Sequence, residues 1–473
     1  MKLSFKSLTL LFIIASFSIA LAEWQAVRVG DTPGGQRPYC VYVGDGRNDG
    51  KERVYLSNYD NHIYEWSYYP DSGWFCMDIG EAAPNHHGMI SVEVGQGRSD
   101  GINRVYGGHA NGWLYEFTYS QGQWLKDSLN PQSNFVFGIA VGDGHNDNIT
   151  RVYGYGGFSV PGKEYTYDAS GDSWVMITCS QPHYVWFPDI GEGRNDGVRR
   201  IYGVHYLGYL HTPGASLLIE SSWNGSTFVE SQILSHSAVI TRVGEGRGDG
   251  VNRVYVSATG DHIYEYTYSA GNWEEVDICP DAPYLTRCGI AIGKAKSDGR
   301  SRIYSTGIRP TGDIREHNWD GAQWSDTIID AVTMATTHLA LGPGRGDDTM
   351  RLYACEITGV LWEFTHPTPY VASVEETKGQ RFVRNTRVSP NPLTRNTVIN
   401  YSLDKAGMVK IDIYNLSGQT VRNLLNTYHQ AGNYQTVWDT RDNFGRALPA
   451  GVYLCRMKTS VGFTETKQIV ITK

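Results

Sequence analysis

Short runs in which apolar and polar residues alternate recur along most of the chain, and they come in groups of four. The first run of a group ends in Gly, as in Ile90–Val94 before Gly95. The second reads Arg-apolar-Tyr, as in Arg53-Val54-Tyr55. The third resembles Ile263-Tyr264-Glu265-Tyr266-Thr267-Tyr268, and the fourth starts near a Trp, as in Trp273–Ile278. Period-two alternation with β-branched and aromatic residues predicts strands throughout. Gly-containing tetrapeptides such as Ser120-Gln121-Gly122-Gln123 and Ser269-Ala270-Gly271-Asn272 predict hairpins between third and fourth strands.

The groups repeat at a nearly constant interval. Their marker glycines are Gly44, Gly95, Gly142, Gly191, Gly244, Gly293 and Gly342, spaced 51, 47, 49, 53, 49 and 49 residues apart. Four short antiparallel strands every ~50 residues make one blade of a β-propeller, so the repeat predicts seven blades. The last group stops at Leu361-Trp362-Glu363-Phe364 without a fourth strand. A spare strand of that type, Trp24–Val29, stands near the start of the chain. Pairing the two closes the ring and removes two exposed sheet edges, which an open solenoid would not need.

Each unit also repeats an Asp and an Arg four residues apart: Asp49 and Arg53, Asp100 and Arg104, Asp147 and Arg151, Asp196 and Arg200, Asp249 and Arg253, Asp298 and Arg302, Asp347 and Arg351. The loop that carries the Asp weakly resembles the calcium loops of FG-GAP propellers. It departs from them where Arg47, Arg98, Arg194 and Arg247 stand in place of an oxygen ligand, because a guanidinium cannot coordinate a cation. A turn-bound Asp paired with Arg accounts for the pattern, so no metal ligand is assigned.

In a four-stranded blade those loops share one face of the ring with the Trp hairpins. The other face, the mouth, collects the connections between blades, where binding sites are commonly grafted. His87, His183 and His236 each lie eight residues before their repeat Gly, and Gln36 and Asn134 occupy the same position in other units. With Trp186, Tyr284, Arg287 and His338 nearby, along with Tyr39, Phe135 and Phe187, they predict a ligand site at the channel mouth for a glycan or a protein. The competing expectation is that these side chains merely plug the channel. No GxSxG, HExxH or Walker motif occurs, and no carboxylate pair stands out, so neither a catalytic residue nor a cofactor is assigned. A polysaccharide hydrolase or lyase and a structural surface scaffold are the alternatives to a binding protein.

Beyond Phe364 the repeat ends. The expected domains are a secretory signal at 1–22, the propeller at 23–366, a linker at 367–387 and an Ig-like β-sandwich at 388–473. Ser389-Pro390-Asn391-Pro392, Ile399–Leu403, Ile413–Gly418, Ala431–Tyr434, Trp438-Asp439, Gly445, Leu448–Tyr453 and Lys467–Lys473 follow in order. This run resembles the type A C-terminal sorting domain of type IX secretion cargo and the related FlgD-like Ig domain. The resemblance implies passage through the periplasm and across the outer membrane, with secretion machinery as a partner and release or surface attachment afterwards.

The leader carries two of the 41 basic residues, and the chain holds 49 acidic ones, so a net charge of −8 becomes −10 once the leader is removed. That balance argues against nucleic acid or an anionic membrane as the main partner, leaving surface attachment as the membrane link. Seven cysteines cannot all pair. Cys279 and Cys288, which flank one loop, are the favoured pair in an oxidising compartment.

Overall fold

A computed structural model describes residues 24–82, 88–129, 136–157, 160–182, 184–206, 216–234, 238–258, 262–279, 287–307, 312–332, 336–372, 383–389, 393, 395–403, 407–415, 419–429, 432–443, 445–459 and 464–472. Among them, every regular element is a strand apart from one 3-10 turn at Pro33–Gly35. Seven four-stranded antiparallel sheets follow one another as blades 1 to 7. Their first strands are Pro38–Gly44, Met89–Gly95, Val136–Gly142, Tyr184–Gly191, Ala238–Gly244, Arg287–Gly293 and Thr336–Gly342. Each first strand lies against that of the next blade, and the seventh lies against the first, so the ring is closed.

Blade 7 takes its fourth strand from the other end of the chain. Gln25–Asp31 pairs antiparallel with Val360–Thr365, from Gln25 opposite Thr365 to Asp31 opposite Val360. The seven marker glycines have one steric cause. A Cβ at Gly44 would fall 2.9 Å from Val94, one at Gly191 2.5 Å from Val243, and one at Gly342 2.5 Å from Val43. The same contact, at 2.7–3.4 Å, recurs at Gly95, Gly142, Gly244 and Gly293. At every junction, therefore, the apolar side chain before one blade's Gly seats on the bare Cα of the preceding blade's Gly.

The second strands are buried along their length, with Val54, Tyr55, Val105, Tyr106, Val254 and Tyr255 at 0% exposure. They form the packed wall between blades, each large side chain contributing about 1.5–3 kcal/mol on burial.

The C-terminal unit is a sandwich of two sheets. One holds Val383–Ser389, Thr397–Leu403 and Gly432–Trp438. The other orders Thr420–His429, Gly407–Tyr414, Gly451–Thr459 and Thr464–Ile471. Ile399, Val409, Ile411, Ile413, Trp438, Met457 and Ile469 fill the space between them.

The linker is shorter at both ends than the sequence suggested. Val383–Ser389 is already a sandwich strand, paired with Thr397–Leu403. Residues 368–372 are hydrogen-bonded to the loops of blades 6 and 7. Charge and prolines read as a spacer at both ends because backbone pairing leaves no trace in side-chain polarity. The leader at 1–22 lies outside the described residues, as does the side chain of Cys288, while Cys279 is buried with its Sγ 3.3 Å from His317 Nδ1.

Candidate functional site

Strand direction assigns three zones to the ring. Gly44 pairs with Arg53 at one end of blade 1 and Pro38 with Asn58 at the other. The repeated loops therefore share one face, the interblade connections share the mouth, and the axis runs between.

On the loop face every repeated Asp forms a two-point ion pair with its Arg. The shortest contacts run from 2.5 Å for Arg302–Asp298 to 2.8 Å for Arg104–Asp100. Asp49 also accepts the N–H of Lys51, while Asp45 accepts those of Asp49 and Gly50. The hydrogen bond from Arg302 holds Asp298 down at about 2, and the six equivalent aspartates are also lowered. Carboxylates so engaged are turn and strand anchors.

A second repeated set joins neighbouring blades. The fourth loop position holds Arg47, Arg98, His145, Arg194, Arg247, Lys296 and Arg345. Each contacts a buried glutamate of its own blade: Glu65, Glu116, Glu164, Glu220, Glu265, Glu316 and Glu363. Each also lies over an aromatic ring of the next blade. Arg47 is 4.5 Å from the Tyr119 centroid, Arg194 4.3 Å from Tyr268, Arg247 3.7 Å from Trp319, and Arg345 4.2 Å from Tyr68 across the closing junction. His145 stacks on Trp223 at 3.8 Å, and burial lowers its pKa to about 4. Lys296 reaches Trp24 of the closing strand at 5.9 Å. Five of the glutamates also accept a hydroxyl from the Tyr of the Arg-apolar-Tyr run, as Glu116 does from Tyr106 at 2.9 Å. The arginines stand out by their fixed place in the loop, whereas the glutamates follow the repeat Arg by 12 residues in four units and by 13, 20 and 14 in the other three. Seven recurrences within the third strand were the available signal.

The axis does not repeat. Two residues before each Gly stand Tyr42, Glu93, Ala140, Asp189, Arg242, Ala291 and Ala340. Arg242 of blade 5 reaches His338 of blade 7 at 3.2 Å, and Phe187 of blade 4 meets the same imidazole at 5.0 Å between centroids. Side chains from such separated blades meet only on the axis, so Phe187, His338 and Arg242 fill it. Phe187 adopts φ 41°, a left-handed conformation that bulky residues rarely accept, in an irregularity of pairing between Trp186 and Asp189. Asp189 accepts backbone N–H bonds from Ile190 and Val243 at 2.8 Å, and Glu93 accepts one from Val141. Burial raises Asp189 and pushes Glu93 up to about 8, while it lowers His338 to about 3. The charge of Arg242 acts on both carboxylates, so the cluster is internally compensated.

At the mouth, Gln36 is exposed, and its carbonyl accepts the Thr32 hydroxyl at 2.8 Å. Half-buried Trp186 stacks on Phe137 at 5.2 Å. Tyr39 and exposed Tyr59 lie 6.1 Å apart, with the Arg37 guanidinium 5.3 Å from Tyr39. His338, at 2% exposure, lies on the axis with its ring against Phe187. His87, Asn134, Phe135, His183, His236 and Tyr284 lie outside the described residues, as does the side chain of Arg287.

Fold and site together define a closed seven-bladed β-propeller with a plugged axis, followed by an Ig-like domain. A model of the FlgD Ig-like domain matches residues 394–462. A chain of the mitotic checkpoint complex crystal structure aligns at 12% identity and TM-score 0.50, covering 76% of this chain and 99% of that one. PorZ, described as an essential bacterial surface component of the type IX secretion system of Porphyromonas gingivalis, aligns at 16% identity and TM-score 0.47 over 94% of this chain and 60% of its own. No curated protein matches the chain.

Proposed function

We propose that this chain is an exported surface binding protein whose propeller presents a glycan- or protein-binding site at its mouth. The contrast between the faces carries the reading. The repeated polar groups of the loop face are committed to one another, and the axis is filled. The mouth keeps aromatic surfaces in single copy: Tyr39 and Tyr59 beside Arg37, and Trp186 on Phe137. Flat rings beside hydrogen-bonding groups suit the faces of sugar rings and the side chains of extended polypeptides. Filling of the axis moves the site from the central channel to the surface around it. Gln36, His87, Asn134, His183, His236, Tyr284 and Arg287 remain candidates for that surface.

The C-terminal motifs and the FlgD Ig-like match support a delivery role for the last ~85 residues, a length that suits a small Ig-like sandwich. Export by a type IX-like route is part of the same proposal. A glycan array and an extracellular-protein pull-down with the secreted chain test the binding reading. Retention of at least one ligand, weakened by Tyr59→Ala, is the expected result, and an empty array with an empty pull-down overturns it.

A second reading has one observation in its favour. Glu93 and Asp189 provide the asymmetric acids that a hydrolase or lyase requires. Their backbone hydrogen bonds and the Phe187–His338 layer on their mouth side favour a structural role. Release of shortened or unsaturated products from a bound polysaccharide, abolished by Glu93→Gln, would reverse that preference.

A further inference from the structure

Neighbouring loops are clasped on the loop face by the fifth loop residue. Asn48 accepts the N–H of Asn103 at 2.7 Å and donates to its carbonyl at 2.9 Å, joining blades 1 and 2. Ser99 accepts the N–H of Thr150 at 3.1 Å between blades 2 and 3. Asn146 makes both bonds with Arg199 between blades 3 and 4, and Asn195 makes both with Asn252 between blades 4 and 5. All four clasping residues have positive φ, from 55° to 62°, which turns the side chain toward the next loop.

The remaining junctions differ. Gly248 and Gly346 occupy the fifth position at junctions 5–6 and 7–1 and have no side chain to offer. At junction 6–7 the residue is Ser297, and it is not among those with positive φ. Here the chain beyond the propeller takes over. Ser297 N–H donates to the Thr368 carbonyl at 2.9 Å, and Tyr370 N–H donates to Ala295 at 3.0 Å. On the other side Met350 N–H donates to the Tyr370 carbonyl and Ala372 N–H to Asp348, both at 2.8 Å. Met350 stands where Asn103, Thr150, Arg199 and Asn252 stand, so Tyr370 satisfies the very N–H that a neighbouring side chain satisfies elsewhere. The Tyr370 ring lies 5.5 Å from Lys294 Nζ, and Ala372 is buried at 3% exposure.

We infer that residues 368–372 are a built-in strap that replaces the missing loop clasp between blades 6 and 7, anchoring the chain that leads to the C-terminal domain on the loop face. The strap belongs to the propeller as a working part. It leaves the mouth clear, and it stays with the ring if the C-terminal domain is removed after export. That last consequence rests on the export reading; the clasp itself does not.

Hydrogen–deuterium exchange on the full chain tests it. Tyr370→Pro with Ala372→Pro deletes both strap donors without touching the ring. Exchange of the Met350 and Ser297 amides is expected to rise at least tenfold, with Asn103 and Asn252 unchanged. Adding Ser297→Asn places there the residue type that most readily takes the positive φ of the clasping position, and is expected to restore protection at Met350. Unchanged exchange at Met350 overturns the inference, as does faster exchange spread equally over Asn103, Asn252 and Met350. A parent chain that is not exported, while the strap variant still raises exchange at Met350, counts against the export reading and leaves the strap standing.

Discussion

The loop face and the mouth are built from the same seven units and have taken opposite courses. On the loop face each unit repeats the same set of contacts: Asp on Arg, a nitrogen-bearing side chain (Arg in five units, Lys296 and the imidazole of His145 in the others) on a buried Glu, and that side chain on the next blade's ring. At the mouth and along the axis no such set repeats, and Phe187 accepts an unfavourable backbone angle to reach a histidine on the opposite side. Repetition therefore marks what keeps the ring closed. Departure from repetition marks where a property of the individual protein can reside.

The sharpest way to break this contrast is to remove one shared glutamate. Glu116→Ala takes from Arg98 its buried partner, leaving it only the exposed Asp127 and Asp172, and takes from the Tyr106 hydroxyl its acceptor; breaking a buried pair costs about 3–5 kcal/mol. Urea unfolding should show that loss, and a change under 1 kcal/mol would mean the loop face is not what holds the blades. Gly191→Ala comes next. Its Cβ would meet Val243 at 2.5 Å, and overpacking of that kind costs about 1–3 kcal/mol.

A pH series separates the zones by sign. The lowered aspartates, Asp298 at about 2, stabilise the fold above the free carboxylate value near ~4 and lose that contribution as pH falls through their folded values. Buried His338 adds to the acid side, beginning below its free value of ~6.5. Glu93 has the opposite sign: raised to about 8, it favours the fold at low pH and loses that contribution as pH rises through about 8. Thermal midpoints for Glu93→Gln should therefore flatten on the alkaline side and keep the acid limb. The smallest expected stability change is at the mouth. Tyr59→Ala, at an exposed ring, should stay within about 0.5 kcal/mol of the parent chain while weakening ligand capture.

The ring was legible because its periodicity is written in residues with steric or ionic duties: a Gly where a neighbour's Val must fit, and an Asp four residues before its Arg. The closing strand was legible too, since Trp24–Val29 is a fourth strand with no unit of its own. Glu65 and its counterparts were harder to see, because turns of unequal length shift Glu164, Glu220 and Glu316 from the 12-residue spacing the other four keep to the repeat Arg. For His338 the sequence left two readings open, lining the mouth or plugging the channel, and did not decide between them. Its contacts with Phe187 and Arg242 come from blades far apart along the chain, a tertiary meeting with no local signature. Residues 368–372 were misread for a related reason, since their pairing is made through backbone groups that every sequence possesses.

The borrowed strand of blade 7 has a consequence for assembly. Six blades can form as their residues become available, each from contiguous chain. The seventh must wait, because Gln25–Asp31 has no partner until Val360–Thr365 has been made. Until then a strand from the beginning of the chain stays unpaired, and the seat for it stays open. Completion of the ring thus reports that nearly the entire propeller sequence is present. A chain cut short anywhere before residue 360 cannot pass for a finished one.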